Sequence, residues 1–223
     1  MRDNKSDVVV VDFWANGFGM RVRIALEEKG IKYYYKEEDL RISQRSQLVL
    51  KMNPVRKSVP ILIYKGNPVC DSAVILEFID EMWKEDGSPH LLPEDACERA
   101  LTRFWVHFID KKLFSTQTNL LKSKGEAKEQ GKNELLADLK LLEGFLGDKL
   151  YFGGNKFGFL DIAFIPFSSM FNGYESHGNF KLEDECPKLT AWVKRCVARE
   201  SVSKVLPNSL EMYELHKKWY GIE

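Results

Sequence analysis

The segment DFWANGFGMR (residues 12–21) joins a run of valines to an amphipathic helical run through the turn pair Asn16-Gly17. It contains no Ser, Tyr, Cys or His, so it offers no hydroxyl, thiol or imidazole group for chemistry. The side-chain amide of Asn16 can still donate hydrogen bonds, and the main-chain amides of Gly17 and Phe18 would stand at the positive end of a helix dipole. The turn is therefore suited to stabilise a negative charge, unless it is an ordinary turn formed by two residues that tolerate positive φ.

The elements that hold this turn alternate between strands and helices in the first third of the chain. Hydrophobic periodicity and turn residues predict strands over 8–14, 31–38, 59–64 and 68–70 and helices over 20–29 and 72–83, with an irregular piece between the second and third strands. Gly30 stands where the first helix would end in a left-handed cap. The helical crossover predicts that the first two strands are parallel, and the KGN turn predicts that the last two form a hairpin.

A different composition begins at about Lys84. The segment KEDGSPHLLPED is polar with two prolines and is typical of a linker, and the runs beyond it space their apolar residues by three and four, as helices do. The sequence therefore predicts an α/β domain at 1–85, a linker at 86–95 and an all-α domain at 96–223. In the helical domain, Gly158 and Asp161 are typical of a helix N-terminus, so we assign Asp161 to folding rather than to catalysis.

The composition argues against several classes of partner. Lys plus Arg (33) balance Asp plus Glu (33), so no net field draws the chain to nucleic acid or to an anionic membrane. We see no secretory leader, and no run approaches the roughly 18 apolar residues of a membrane span. The four cysteines form no CxxC pair, and a cytoplasmic protein with reduced cysteines is expected. The four histidines lack metal-ligand spacing, so no metal is expected.

Four stretches, in this order and spacing, resemble a plant tau-class glutathione S-transferase: DFWANGFGMRVRIALEEKGIKYYYKEEDL, NPVRKSVPILIYKGNPVCDS, RFWVHFIDKKL and FGGNKFGFLDIAFIPF. The similarity runs from Val8 to about Lys204. It implies a thioredoxin-like α/β N-terminal domain that binds glutathione and an all-α C-terminal domain that contributes most of a hydrophobic co-substrate pocket. It also implies a cytoplasmic homodimer with a role in detoxification and the stress response. The family's reaction is attack by the glutathione thiolate on an electrophilic carbon or a peroxide.

The resemblance places glutathione-binding groups on two motifs. The Val59-Pro60 bond would be cis, which an X-Pro bond adopts at little cost, and the Val59 main chain would pair with the cysteinyl part of glutathione; a proline that merely starts a strand is the alternative. Asp71-Ser72 suit a helix N-cap, and the same helix end would bind the γ-glutamyl carboxylate, with Asp71 on the ammonium group. The family usually has glutamate at position 71, so the shorter aspartate must reach farther or shift the ligand.

The glycine carboxylate of glutathione needs cations, and here the chain departs from the family. The family's first lysine corresponds to Arg45, in a loop that is longer than usual. The second commonly stands directly before the residue that precedes the proline, which here is Ser58, with Lys57 one residue earlier. We expect Arg45, Lys57 and Ser58 to contribute to glutathione binding, and the alternative for both cations is a solvated surface charge.

The family carries a serine at the position of Asn16, and that hydroxyl donates a hydrogen bond to the glutathione sulfur. Free thiols titrate near about 8.5, and a donor favours the thiolate. Three hypotheses follow for this chain: the Asn16 amide donates in place of the hydroxyl; the amide is mispositioned and the protein binds ligands with little turnover; or another group, Arg21 being the nearest, activates the sulfur. No cysteine occupies positions 15–17, which argues against the thiol-transferase branches of the superfamily.

The hydrophobic co-substrate pocket is expected to combine aromatic residues of the opening segment with residues of the helical domain. Its predicted members are Phe13, Trp14, Phe18, Phe108, Lys112, Met170, Leu215 and Trp219. The family often has tryptophan at position 170, so a flexible thioether there would leave a roomier pocket. Ordinary core packing is the alternative for these residues, and we expect it for Phe104 and Trp105.

We predict an enzyme, a glutathione S-transferase acting on hydrophobic electrophiles or, as a peroxidase, on organic hydroperoxides, with activity reduced because Asn16 replaces serine. The alternative is a ligandin-like carrier of apolar molecules or glutathione conjugates; a protein-interaction module is a third class. The Asn16 substitution favours the carrier, and the retained glutathione motifs favour the enzyme. The helices SAVILEFIDEMW and ERALTRF are the candidates for a subunit interface.

Overall fold

The computed structural model describes residues 7–84 and 89–222. The chain divides into two compact units, Met1–Leu92 and Pro93–Glu223. The division falls within the linker predicted at 86–95, of which 86–88 lie outside the described residues, as do 1–6, 85 and 223 of the two predicted domains. No helix in the described ranges combines the length and the apolar composition that a membrane crossing requires.

The sheet of the N-terminal unit contains β1 (Val8–Asp12), β2 (Tyr34–Glu37), β3 (Ile61–Tyr64) and β4 (Asn67–Cys70). The strand order is β2-β1-β3-β4. β1 is parallel to β2, and β3 is antiparallel to both β1 and β4, which confirms the predicted crossover and hairpin. β1 ends before the predicted limit of residue 14, because the chain turns there and Asn16 N–H donates to Phe13 O at 2.9 Å.

The valines of β1 are covered on both faces of the sheet. Val11 packs in one cluster with Val49, Ile61 and Ile63. Val10, which points to the opposite face, is also completely buried. A strand that is covered on both faces needs continuous rather than alternating apolar residues, and this explains the sequence VVVV.

The helices of the N-terminal unit are α1 (Gly17–Glu28), α2 (Gln47–Met52) and α3 (Ser72–Met82). α1 begins before the predicted start at residue 20, because Asn16 caps it. α2 lies where an irregular piece was predicted: its six residues are too few to show a periodic pattern, and the side chain of Ser46 caps it. Gly30 has φ 65°, which confirms the left-handed residue predicted after α1.

Helices make up the C-terminal unit, as predicted. α4 (Ala96–Phe108) continues through a π-helical turn (Ile109–Leu113) into α5 (Phe114–Lys122). The elements that follow are α6 (Gly125–Leu146), α7 (Phe159–Phe164), a 3₁₀ segment (Ile165–Met170), α8 (Phe171–Gly178), α9 (Leu182–Glu185), α10 (Pro187–Val197), α11 (Glu200–Ser203) and α12 (Ser209–Tyr220).

Asp161 fixes the start of α7 from a position with no exposed surface. Its carboxylate accepts hydrogen bonds from the main-chain N–H groups of Phe152 and Gly158, each at 3.0 Å, and from the indole of Trp192 at 2.7 Å. Burial raises the pKa of the carboxyl to about 6. Asp161 thus connects the loop before α7 to α10, which agrees with its predicted role in folding.

Replacing Asp161 with alanine should destabilise the protein strongly. The substitution leaves two buried donors, the Phe152 N–H and the Trp192 indole, and the partly buried Gly158 N–H without this acceptor, and each unsatisfied buried donor costs about 1–3 kcal/mol. We expect a total loss on the order of 3–5 kcal/mol in the free energy of unfolding, measured by urea titration. Asp148→Ala is the control, because that side chain is 94% exposed and forms a surface ion pair with Lys188. Equal urea midpoints for the two variants would contradict the assignment.

Candidate functional site

Asn16 forms the N-cap of α1. Its backbone is extended, with φ −85°, so the cap does not depend on the positive φ of an ordinary asparagine turn. Asn16 Oδ1 accepts a hydrogen bond from the Phe18 main-chain N–H at 3.2 Å, as an N-cap asparagine does. The Phe18 main-chain amide, which was predicted to stand at the positive end of the helix dipole, therefore donates its hydrogen bond within the cap.

The other end of the Asn16 amide is held by Asp12. Asn16 Nδ2 donates a hydrogen bond to Asp12 Oδ1 at 2.8 Å. Because Oδ1 must face a donor and Nδ2 must face an acceptor, these two bonds are compatible with only one of the two amide orientations. Nδ2 carries a second hydrogen, and this hydrogen is the donor that Asn16 can offer to a ligand.

Asp12, the last residue of β1, has no exposed surface. Burial raises the pKa of its carboxyl to about 7, against the opposing effects of Arg23 and of the Asn16 hydrogen bond. Arg23 Nε stands 3.8 Å from Asp12 Oδ2, beyond hydrogen-bonding distance, and Oδ2 has no hydrogen-bond partner within 7–84 and 89–222. Asp12 was not predicted as a site residue, although an acidic residue at the end of a buried strand was the available signal.

Arg21 links α1 to the start of α3. Its guanidinium lies 4.9 Å from the centre of the Phe18 ring, and Nη1 donates to Ser72 Oγ at 3.1 Å. Both Arg21 and Ser72 are buried. A positive charge therefore stands beside the hydroxyl that was predicted to meet the γ-glutamyl carboxylate.

Asp71 caps α3 with φ 78°, in a region that disfavours residues other than glycine. Its Oδ1 accepts from the Ala73 main-chain N–H at 3.2 Å, and its Oδ2 accepts from Arg56 Nη1 at 3.0 Å. The carboxylate that was predicted to meet the glutathione ammonium group is thus already paired with a cation of the chain. Arg56 was not predicted; its neighbours Lys57 and Ser58 were.

The Val59-Pro60 bond is cis, which confirms that expectation. The pairing of β3 with both neighbours begins at Ile61, so Val59 precedes the paired strands. Asn53 braces the approach to this bond: its Nδ2 donates to the Ser58 carbonyl at 2.9 Å, and its Oδ1 accepts from the Arg56 N–H at 3.1 Å. Asn53 therefore holds the segment that leads to Val59, and nothing in the sequence had marked it for this role.

Arg45 and Lys57 are the two cations predicted to bind the glycine carboxylate of glutathione. Arg45 Nη1 donates to the Ile42 carbonyl at 2.7 Å within its own loop. Lys57 is exposed and has φ 51°. Both arrangements resemble the surface-charge alternative, and their part in glutathione binding stays a prediction. In the described ranges no group of His, Cys, Asp and Glu is arranged to hold a metal ion.

The predicted aromatic residues of the N-terminal unit differ in exposure. Phe13 has no exposed surface and belongs to the core, with its ring centroid 5.6 Å from that of Trp14. Trp14 and Phe18 are partly exposed. Trp14 and Phe18 can therefore contact an apolar ligand directly, whereas Phe13 can only support them from behind.

The predicted pocket residues of the helical unit lie on three elements. Phe108 precedes the π-helical turn, which carries the exposed Lys112, and such turns are frequent at functional sites. Met170 ends the 3₁₀ segment and is only 4% exposed, which favours ordinary packing. Leu215 and Trp219 lie on α12, and Trp219 is 38% exposed.

The core prediction is wrong for Phe104. This side chain is 58% exposed on α4, whereas Trp105 is half-buried and stacks on Phe145 with ring centroids 4.9 Å apart. An apolar residue at helical spacing is not necessarily internal, because some helices keep an apolar face at the surface.

Residues 6–81 match the family described as Glutathione S-transferase, N-terminal domain, and residues 99–200 match Glutathione S-transferase, C-terminal domain. The chain is 51% identical to "Probable glutathione S-transferase parC" of Nicotiana tabacum, over 97% of this chain and 98% of that protein. It is also 51% identical to "Glutathione S-transferase U25" of Arabidopsis thaliana, again over 97% of this chain and 98% of the relative.

Two solved structures share the whole fold. Rice GST1 (OsGSTU1), solved in complex with glutathione, has a TM-score of 0.92 and 39% identity over 98% of both chains. The Tau class glutathione S-transferase MiGSTU from mango, Mangifera indica, has a TM-score of 0.89 and 34% identity over 95% of this chain and 98% of its own. The chain therefore belongs to the glutathione S-transferase family, and within it to the tau class. This confirms the resemblance and the predicted thioredoxin-like and all-α folds.

Asp12 should make the stability of the protein depend on pH. Its pKa is about 7 in the folded chain and about 3.9 in an unfolded one, so the folded state holds the proton across that interval. Protonation of Asp12 therefore stabilises the folded state fully below about pH 4, and this contribution to the free energy of unfolding is lost as the pH rises through about 7. The free energy of unfolding of the parent, measured relative to Asp12→Asn by urea titration, should fall across this range. A difference that does not change with pH would contradict a buried, proton-holding carboxyl.

Proposed function

We propose that the chain conjugates glutathione to hydrophobic electrophiles and that Asn16 donates the hydrogen bond that stabilises the glutathione thiolate. The observation that supports this most is the orientation of the Asn16 amide, fixed by Phe18 N–H at one end and by Asp12 at the other. The second Nδ2 hydrogen takes the part that the serine hydroxyl has in the family. Because the donor is oriented before the ligand arrives, little reorganisation is needed when the thiolate forms.

Glutathione is held, in this proposal, along the edge that runs from Val59 to α3. The cysteinyl main chain pairs with Val59, which precedes the β3 ladder. The γ-glutamyl carboxylate meets the N-terminal amides of α3 and Ser72, with the Arg21 charge behind the hydroxyl. The ammonium group replaces Arg56 on Asp71, an exchange that the exposure of the Arg56 side chain allows. The rice relative solved with glutathione supports this ligand.

Arg45, Lys57 and Ser58 would serve the glycine carboxylate at the other end of glutathione. Arg45 and Lys57 are long side chains on the surface and can turn toward a carboxylate without breaking a buried contact. Each would contribute a modest, salt-sensitive attraction, as exposed charges do.

The electrophile would be apolar. Trp14 and Phe18 flank Asn16 in sequence and are partly exposed, so they offer apolar surface near the proposed thiolate. In the helical unit, the predicted pocket residues that reach the surface are Phe108, Lys112, Leu215 and Trp219. The thiolate attacks an electrophilic carbon, and a carbon–sulfur bond forms as the bond from that carbon to its leaving group breaks. With an organic hydroperoxide, the thiolate attacks the terminal oxygen, the O–O bond breaks and the alkoxide leaves and takes up a proton as the alcohol; a second glutathione then reduces the glutathione sulfenic acid to the disulfide, with release of water.

A ligandin-like carrier is the second candidate function, and it is favoured by Asn16 at the position where the resemblance implies a serine. The chain would then keep the glutathione motifs and have little turnover. The hypothesis that Arg21 activates the sulfur has less support, because its guanidinium is buried and donates to Ser72. A pure interaction module has no need for the cis bond at Val59 or the cap at Asp71.

Asn16→Ala should raise the pKa of the bound glutathione thiol by about one unit, toward the value of about 8.5 for free thiols. It should lower kcat/KM for chlorodinitrobenzene by about tenfold, because a hydrogen bond to a charged group contributes about 1.5–3 kcal/mol. Asn16→Ser should keep the parent's thiol pKa. Ultraviolet thiolate absorbance across pH gives the pKa, and Asn67→Ala, an exposed amide on β4, is the matched control.

Two results would count against the enzyme. A parent whose bound thiol titrates like free glutathione, with the pKa lowered only in Asn16→Ser, supports the carrier. Absence of glutathione binding in the parent supports the interaction module.

We further propose a cytoplasmic homodimer that acts in detoxification and the stress response, as the tau class implies. α3 and α4 were predicted as interface helices, and each exposes apolar side chains that a second copy of the chain would cover: Val74 is 53% exposed and Met82 45%, while Leu101 is 44% exposed and Phe104 58%. The cysteines described as free thiols are consistent with a reducing compartment.

Phe104→Glu should convert the dimer to a monomer, because it places a charge in the proposed apolar contact. Light scattering coupled to size-exclusion chromatography measures the mass. Leu141→Glu, on the 55%-exposed side chain of α6, is the control and should leave the dimer intact. A Phe104→Glu protein with the parent's mass would place the interface elsewhere.

A further inference from the structure

Asp12 combines burial with an incomplete set of hydrogen bonds. Its Oδ1 accepts from Asn16 Nδ2 at 2.8 Å, whereas its Oδ2 has no hydrogen-bond partner among the described residues. The charged and titratable groups around it are Arg23, at 3.8 Å from Oδ2, Glu37, which is its partner in the β1–β2 register, and Tyr35, whose hydroxyl donates to the Asp12 carbonyl at 3.2 Å.

This arrangement is unfavourable for stability alone. Burying a carboxyl group with one oxygen unsatisfied costs free energy, and the valines before Asp12 show that this strand accepts apolar residues readily. Residues that break such a local rule are expected at functional sites. The Asp12 carboxyl accepts a hydrogen bond from the side-chain amide of Asn16, which is the proposed thiolate donor.

We infer that Asp12 is a positioning residue for the thiol-directed amide of Asn16: by accepting one Nδ2 hydrogen, its carboxyl aims the other hydrogen at the glutathione sulfur. The inference deepens the proposed function and rests on Asn16 being the donor. Asp12 itself touches neither glutathione nor the electrophile in this arrangement. It acts only through Asn16.

A side-chain amide needs such a partner more than a hydroxyl does. A serine hydroxyl rotates its hydrogen toward whatever acceptor is present. The amide of Asn16 is planar, and its terminal torsion is broad and nearly two-fold. One orientation offers N–H to the sulfur, and the opposite one offers a carbonyl oxygen that repels a thiolate. The Asp12 carboxyl and the Phe18 N–H together select the first orientation: Asp12 Oδ1 accepts from Nδ2 and the Phe18 N–H donates to Asn16 Oδ1, whereas the opposite orientation would set the amide NH₂ group against the Phe18 N–H.

Gly19 makes room for the Asp12 carboxyl. A Cβ added at Gly19 would lie 1.7 Å from Asp12 Oδ2, so α1 passes directly against the carboxyl at this point. A glycine inside a helix is unfavourable by roughly 0.5–1 kcal/mol relative to alanine. The helix thus gives up intrinsic stability at the position where a side chain would displace Asp12.

Two substitutions separate positioning from charge. Asp12→Asn keeps a carbonyl oxygen that can accept from Asn16 Nδ2, and Asp12→Ala removes the acceptor. Both variants remove the negative charge, which by itself would oppose a nearby thiolate, so the comparison between them isolates the hydrogen bond. We expect the thiol pKa of bound glutathione to be about one unit higher in Asp12→Ala than in Asp12→Asn, which is a tenfold smaller thiolate ratio at a given pH.

The same pair of substitutions in the Asn16→Ala background provides the decisive control. If Asp12 acts through Asn16, the difference between Asp12→Asn and Asp12→Ala disappears there; general damage to the fold would preserve it. Asp12→Val replaces Asp12→Ala in the comparison if the alanine variant does not fold. Asp138→Asn and Asp138→Ala are the matched control, because Asp138 is buried in the helical unit and accepts a hydrogen bond from the Thr116 hydroxyl. The pKa of the bound glutathione thiol should be the same in these two variants.

The outcomes distinguish this inference from the function on which it rests. Equal thiol pKa values in Asp12→Asn and Asp12→Ala, while Asn16→Ala alone raises the pKa, overturn the positioning role and leave the Asn16 donor in place. An unchanged pKa in Asn16→Ala overturns the donor itself. A difference between the two Asp12 variants that persists without the Asn16 amide also overturns the inference.

Discussion

The contact between α1 and the end of β1 is the constraint on which the candidate site depends. At Gly19 the helix backbone lies directly against the Asp12 carboxyl, and no side chain fits between them. Together with the Asn16 cap, this contact sets where α1 begins and therefore where the Asn16 amide stands. It also sets the position of Arg21 on the next turn, and through it the contact with Ser72 at the start of α3.

This contact requires the burial of the Asp12 carboxyl, which is unfavourable for stability. The sheet could place an apolar side chain at the end of β1, as it does at the preceding positions. Instead it keeps a carboxyl whose pKa is raised to about 7 by burial and whose charge is only partly compensated by Arg23. Perturbed titratable groups of this kind concentrate at functional sites, and Asp12 is hydrogen-bonded to Asn16, the residue proposed to donate to the thiolate.

Much of the fold could be predicted from the sequence, because its signals are local. The valine run, the KGN turn and the apolar helical spacing specified strands, hairpin and helices within a few residues. The cis bond at Val59-Pro60 came from the resemblance rather than from periodicity, because proline fixes φ but does not determine the preceding peptide bond. α2 escaped prediction because a helix of six residues is held by its cap and by the burial of Val49.

The candidate site was predicted less completely, because its defining contacts join residues that are distant in sequence or that compete for one partner. The Arg21–Ser72 hydrogen bond spans 51 positions, and nothing in RKSVP indicates that Arg56, rather than Lys57, reaches Asp71. Phe104 was assigned to the core because helical spacing does not reveal which apolar face is covered. Asp12 differs from these residues because it is the first residue of DFWANGFGMR, but the sequence does not show that its carboxyl is buried.

The crystal structure of the chain with glutathione tests the central claim most directly, through the distances from Asn16 Nδ2 to the glutathione sulfur and to Asp12. The account predicts that the sulfur lies within hydrogen-bonding distance of Nδ2 while the 2.8 Å contact between Nδ2 and Asp12 Oδ1 is retained. A sulfur that contacts a main-chain amide or the Arg21 guanidinium instead, with Asn16 turned away from Asp12, would contradict it.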